Sequence, residues 1–293
     1  MAAPASDDIP ELRAERFSLA PSSGKPEVTV CAPGAVRALI QTFLHGWELG
    51  PAQDGSAPAV ACNATAQGFD LAAAVLPESR HRATSAWEAA DVIASSAAAL
   101  AFGGAGVILP HAAALLSPSG LVLLFADTTG GKSTLALTLA TAGWRLFGDD
   151  RLAIRRAAGA SVGAALGLAP KLRLPLPASA AELQAFVAPR LRRSGPSLAY
   201  LELRAREQAG PGMEAPVAAC VLLDRSGGSP RLEPARPARL VRALAESAAA
   251  PWLAPHEVLT AAAAHADLPV LRLRYGEAAE AALVLLRRFG GAG

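Results

Sequence analysis

Residues 120–152 read GLVLLFADTTGGKSTLALTLATAGWRLFGDDRL. An apolar strand, a glycine turn, a helix and a second strand ending in two aspartates follow one another directly. That order builds a pocket for a nucleoside triphosphate, with acidic residues facing its phosphates. Gly131, Lys132 and Ser133 supply the GK[ST] half of a phosphate-binding loop, while Ala126 stands five residues before Gly131, where the motif usually has glycine. Backbone amides converge on a triphosphate only where side chains stay out of the way, which Gly130 and Gly131 allow. The helix predicted over 133–142 adds exposed amides and the positive end of its dipole. Lys132 is placed to bridge the β- and γ-phosphates of ATP and Ser133 to offer its hydroxyl to Mg2+. Asp127, Thr128, Thr129 and Thr134 complete the candidate nucleotide-binding set. If the turn needs a positive φ at position 126, alanine is strained there.

Asp149 and Asp150 close the second strand, and in an open parallel sheet the carboxyl end of that strand lies beside the phosphates. Adjacent carboxylates that point to opposite faces divide two tasks: one holds magnesium, and the other takes the proton from an attacking hydroxyl. The alternative is a pair of aspartates in a solvated turn.

Length and composition bound the rest. A chain of 293 residues buries a sizeable core, and we expect a flexible stretch over 1–12, a small N-terminal α/β lobe over 13–104 and the phosphate-loop domain over 105–293. A formal charge of +2 with 18% charged residues argues against a nucleic-acid partner held by a broad basic surface. Cys31, Cys62 and Cys220 form no CxxC pair and are odd in number, which speaks against a disulfide framework or a zinc cluster and fits a reducing cytoplasm. Residues 92–126 lack a charged side chain, but glycines and prolines divide them into pieces of about ten residues, too short to span a membrane. The acidic start MAAPASDDIPEL has no apolar core of the secretory type.

Along the chain, helices are predicted over 35–44, 87–102, 180–187, 237–247, 255–265 and 277–289. Strands are predicted over 28–31, 60–62, 69–75, 107–116, 121–126, 144–148, 198–203, 217–223 and 270–275, with a hairpin from 151. Gly103-Gly104, Gly143 and Gly290 mark helix ends, and Pro237 occupies a first helical position.

The text from Leu109 to Ile154 resembles the HPr serine kinase/phosphorylase family and its HPr-kinase-like relatives. The shared pattern is a histidine before the phosphate-loop strand, then GGKSTLAL, a glycine-bounded helix and LFGDDR, with His111, Lys132 and Asp149 standing 21 and 17 residues apart. The resemblance implies an α/β P-loop kinase core of the HPr-kinase/PEP-carboxykinase-like type, using ATP and Mg2+. It implies Asp149 as general base for the accepting hydroxyl, Asp150 as the metal-side acid and His111 hydrogen-bonded near Asp149 to orient it. The family's Glu-Ile-Arg-Gly-type segment has its nearest counterpart in residues 170–175, where Lys171 or Arg173 would contact phosphate or substrate. HPr-kinase-like relatives in peptide natural-product pathways phosphorylate serine hydroxyls of precursor peptides, so a peptide or small-protein substrate is expected; the resemblance also admits a homo-oligomer.

Other readings stay open at this point. Residues 218–224, AACVLLD, could form the separate acidic strand of an ordinary P-loop ATPase, with Asp224 on magnesium. Residues 159–163 match GxSxG, which would make Ser161 a hydrolase nucleophile on a strand-to-helix turn. Arg190, Arg192 and Arg193 form a basic cluster able to grip an acidic peptide. A non-catalytic nucleotide-binding protein and a kinase of a small hydroxyl compound such as free serine complete the set.

Overall fold

The computed structural model describes residues 13–53, 55, 57–74, 81–127, 130–177, 179–194 and 197–290, so the expected flexible segment 1–12 lies outside the described residues. The chain divides into two units, Met1–Gly103 and Gly104–Gly293. The first holds β1 (Ala14–Pro21), β2 (Val28–Pro33), α1 (Gly34–Ile40), β3 (Trp47–Pro51), β4 (Val60–Thr65), β5 (Gly68–Ala73), β6 (His81–Ala83) and α2 (Ala86–Phe102). Its six strands form one sheet in the order β3-β1-β2-β4-β5-β6, antiparallel except where β2 meets β4. The start of α2 is set locally: the Ser85 hydroxyl accepts the Glu88 N–H, and the Glu88 carboxylate accepts the Thr84 N–H. The helix then buries Ile93, Ala94 and Ala97 and stops at Gly103.

The second unit runs β7 (Leu109–Pro110), β8 (Ala113–Ser117), β9 (Gly120–Phe125), α3 (Lys132–Thr141), β10 (Arg145–Gly148), β11 (Ala153–Ala157), β12 (Ala160–Ala164), β13 (Lys171–Arg173), α4 (Ala181–Val187), β14 (Leu191–Ser194) and β15 (Leu198–Leu201). It continues through β16 (Glu214–Asp224), β17 (Arg231–Pro234), α5 (Pro237–Ser247), β18 (Ala248–Ala249), α6 (Pro255–Ala263), β19 (Val270–Arg274) and α7 (Ala278–Phe289). The main sheet has the order β10-β8-β9-β16-β12-β11, with β19 beside the C-terminal part of β16 and β17 beyond β19. β9, β16 and β19 run parallel. β8 is antiparallel to both β9 and β10, so the carboxyl ends of β9, β10, β16 and β19 share one edge.

The sheet is therefore mixed, where an open parallel sheet was expected. The cause is local: Ser117 to Gly120 closes a hairpin, with the Ser117 hydroxyl donating to the Gly120 carbonyl, and four residues are too few for a parallel crossover. The strand expected over 107–116 is broken at His111, because Pro110 has no N–H with which to continue the ladder.

Side chains of β9 alternate between two apolar layers. Val122 and Leu124 pack with Leu135 and Leu139 of α3 and with Leu285 and Phe289 of α7. Leu121, Leu123 and Phe125 pack with Leu240 and Leu244 of α5 and Ala262 of α6. The unit is a three-layer α/β/α body with the glycine turn at the common strand edge. Among the described residues no helix is long and apolar enough to cross a membrane.

Candidate active site

The turn after β9 enters α3 through Gly131, whose φ of 84° lies in the left-handed region. A Cβ at Gly131 would also stand 2.6 Å from the Tyr275 hydroxyl oxygen, so conformation and space both require glycine there. Ala126 does not meet the condition for strain: the single non-glycine with positive φ among the described residues is Ala158, so the loop turns without left-handed strain on Ala126. Its carbonyl accepts a 2.6 Å hydrogen bond from Lys132 Nζ. Lys132 is only 7% exposed, and burial lowers its pKa while Asp150, Asp127 and Asp149 push it back up. A buried ammonium resting on the carbonyl of its own loop, beside open helix amides, suits the phosphates of a nucleotide. Asp127 is exposed and its carbonyl takes the Gly130 N–H, while Ser133 and Thr134 are half-buried in the first turn of α3. Thr128 and Thr129, two of the candidate nucleotide contacts, lie outside the described residues.

Asp149 and Asp150 follow β10 at the same edge. A Cβ at Gly148 would lie 2.2 Å from the Arg151 carbonyl oxygen, so the chain can fold this tightly after β10 only with glycine at that position. The tight turn sends the two carboxylates to different surroundings. Asp149 is 3% exposed and its Oδ2 accepts the Lys171 N–H at 2.9 Å. Burial, reinforced by the negative charge of Asp150, pushes its pKa up to about 7, against the opposing pull of Lys171. Asp150 is partly exposed and lies 2.9 Å from His111 Nε2 and 3.3 Å from Lys171 Nζ. Its partial burial acts upward, but the His111 hydrogen bond and the charges of Lys171, His111 and Arg151 outweigh it and hold the carboxyl well below the usual range.

His111 thus pairs with Asp150, where the resemblance implied a bond near Asp149. The break between β7 and β8 places His111 at the exposed rim, where the outward aspartate stands, while Asp149 turns inward. Lys171 joins both aspartates, one through its backbone and one through its ammonium. Arg173 is exposed two residues further along β13. The sequence reading missed Tyr275, which ends the run after β19, is 1% exposed and donates its hydroxyl to the Gly130 carbonyl at 3.1 Å. A lone aromatic with a polar tip closing the apolar run LRLRY was the signal.

The competing residues are held apart from this set, although Asp224 ends β16 at the same strand edge. Asp224 shares its side of the sheet with Cys220 and Leu222, the face covered by α5 and α6, whereas α3 covers the other face. It forms ion pairs with Arg272 and Arg274. Ser161 sits in the middle of the β11–β12 hairpin, not on a strand-to-helix turn, and is 3% exposed. Its hydroxyl contacts His265 Nδ1 at 2.8 Å and accepts from Arg156, so a buried polar cluster stands where the alternative hydrolase reading would need a nucleophile elbow. Arg190 forms two hydrogen bonds to Glu207 and lies over Phe186, and Arg192 faces Glu202, so the basic cluster is largely used within the fold.

The expected magnesium ligands, the Ser133 hydroxyl and the Asp150 carboxylate, are oxygen donors of the kind magnesium takes one or two at a time, drawing the rest from phosphates and water; here Asp150 Oδ1 faces His111 Nε2 and its Oδ2 faces Lys171 Nζ. Among the described residues no group of three or more His, Cys, Asp or Glu gathers into a metal cage of its own.

No family model matches the chain, and no curated protein matches it. Among solved structures it is similar to the HPr(Ser) kinase/phosphatase from Coxiella burnetii, at 14% identity over 61% of this chain and 94% of that one, with a TM-score of 0.31. So loose a superposition leaves the fold resting on the chain's own strand order and its strand-turn-helix at the carboxyl edge.

Proposed function

We propose that this chain is a kinase that transfers the γ-phosphoryl group of ATP, with Mg2+, to a serine hydroxyl on a peptide or small protein. The observation that carries the reading is the convergence at one strand edge of a buried Lys132 on a glycine turn and a buried carboxylate, Asp149, whose partner Asp150 is kept ionised.

The amides at the start of α3 and the Lys132 ammonium bind and neutralise the phosphates. Magnesium, held by Ser133 and Asp150, would add further neutralisation of the β- and γ-oxygens. Asp149 takes the proton of the accepting hydroxyl as that oxygen bonds to the γ-phosphorus and the bond to the bridging oxygen breaks, releasing ADP. A base whose pKa lies near 7 is free to accept a proton at neutral pH without being too weak to draw it. Lys171 holds both carboxylates in place, and His111 fixes Asp150 from the rim. Asp224, engaged by two arginines on the opposite face, takes no part.

The test is to incubate the protein with ATP, Mg2+ and serine-containing peptides, with free serine as comparison, and to look for a phosphate mass shift. The shift is expected on peptide and is expected to vanish with Asp149→Asn while nucleotide binding survives. Undiminished transfer by that variant overturns the base assignment, and transfer to free serine alone would move the acceptor to a small hydroxyl compound.

A further inference from the structure

A cavity of about 520 Å³ opens directly from the glycine turn and runs along α3 between α4 and α7. It begins at Gly131 and Thr134, where the helix amides are, and passes Thr138 toward Ala142 at the other end of α3. Its far wall is Ala279, Ala282, Leu283 and Leu286 of α7, and Ala181 and Leu183 of α4 close the third side. Leu283 of the far wall is 56% exposed. Tyr275 and Arg225 stand at the neck.

The direction of this cavity follows from strand order. Asp149 and Asp150 end β10, two strands from β9 on one side; Tyr275 follows β19, two strands from β9 on the other. A polyphosphate seated on the turn with its terminal phosphorus toward Asp149 must carry its opposite end toward Tyr275. That end meets the cavity at Thr134. Alanines along α7 leave a slot with apolar walls, which suits the flat face of a base, and Glu182 and Glu277 bring carboxylate acceptors to the lining, which suits an amino-substituted purine.

We propose that the groove between α3, α4 and α7 is the nucleoside site, receiving the purine and ribose of the nucleotide whose phosphates lie on the turn, with Tyr275 as the neck that joins the two. The inference rests on the phosphate-binding reading of that turn. It makes the two halves of the nucleotide separable by mutation. Magnesium tripolyphosphate uses the turn alone, whereas magnesium ATP uses turn and groove.

Calorimetric titration of the full chain with each ligand tests it. Wild-type protein is expected to bind ATP more tightly than tripolyphosphate by about tenfold or more, the size of a well-filled apolar pocket. Ala279→Trp fills the groove from an exposed helix position, and Leu283→Asp removes its apolar wall; both are expected to bring ATP affinity down to that of tripolyphosphate and leave tripolyphosphate binding unchanged. Retained tripolyphosphate binding also reports that each variant is folded. ATP affinity unchanged in both variants, or equal affinity of wild-type protein for the two ligands, overturns the groove and leaves the turn standing. Loss of peptide KM with ATP affinity intact assigns the groove to the acceptor and overturns it too. If wild-type protein binds neither ligand, or Lys132→Ala keeps both, the phosphate reading fails and the groove with it.

Discussion

Asp149 carries two predictions that a single substitution separates. With Asp149→Asn, nucleotide affinity is expected to hold while phosphotransfer falls by roughly 10²- to 10⁴-fold, the usual worth of a positioned base. Folding raises this carboxyl from the ordinary 3.8 to about 7, so between those values the folded chain keeps a proton that the unfolded chain has released. Asp149 therefore favours the folded state most at low pH, and that contribution is lost as pH rises through about 7. Asp150 has the opposite sign, since its lowered pKa gives stability above the ordinary carboxylate range that is lost in acid. Urea melts of parent and Asp149→Asn should thus show the variant gaining on the parent from about pH 4 to pH 7 and holding a constant lead above it. A lead that does not change with pH would mean Asp149 is not buried as described. Ala126 gives a third residue-level prediction: with no left-handed strain to relieve, Ala126→Gly should change ATP affinity by less than about threefold in the same titration.

At the scale of elements, the start of α3 depends on Gly131. Alanine there meets a left-handed penalty of roughly 1–2 kcal/mol and the Tyr275 hydroxyl at 2.6 Å, so Gly131→Ala should lower the urea midpoint and weaken nucleotide binding together. Tyr275→Phe loses only the bond to the Gly130 carbonyl, about 1 kcal/mol, and should be the milder variant on both measures. Several elements were legible beforehand. Gly103 ends α2, Gly143 ends α3 and Pro237 opens α5, because these residues act through their own backbone within one turn. The short strands β1, β3, β13, β14 and β17 were not expected as strands. Each is only three to eight residues long and mixed in polarity, and each is a strand because a neighbour supplies its hydrogen bonds.

For the whole molecule, the two faces of the main sheet in the second unit hold separate apolar layers. Leu139→Ala on the α3 face and Leu244→Ala on the α5 face should each cost about 2–5 kcal/mol of unfolding free energy in urea. Their effects should add to within about 0.5 kcal/mol in the double variant, because the two side chains share no cluster. A large departure from additivity would show that the layers act as one.

The amino-acid sequence by itself determined the strand, glycine turn and helix of residues 120–142, and the pair of aspartates that follows. Those features depend on residue type and near neighbours: Gly131 accepts a left-handed φ that other residues resist, Gly148 allows the tight turn, and an apolar alternation makes a strand. The division of labour between the aspartates was decided only by tertiary structure. Asp149 and Asp150 are the same side chain one position apart, and what distinguishes them is the Lys171 N–H, the His111 ring and the depth of burial, all brought from other segments. The same holds for Tyr275, 145 residues from the Gly130 carbonyl it caps, and for the groove beside it. Burial and charge act through space, and only the fold puts residues 111, 132, 149, 171 and 275 at one edge.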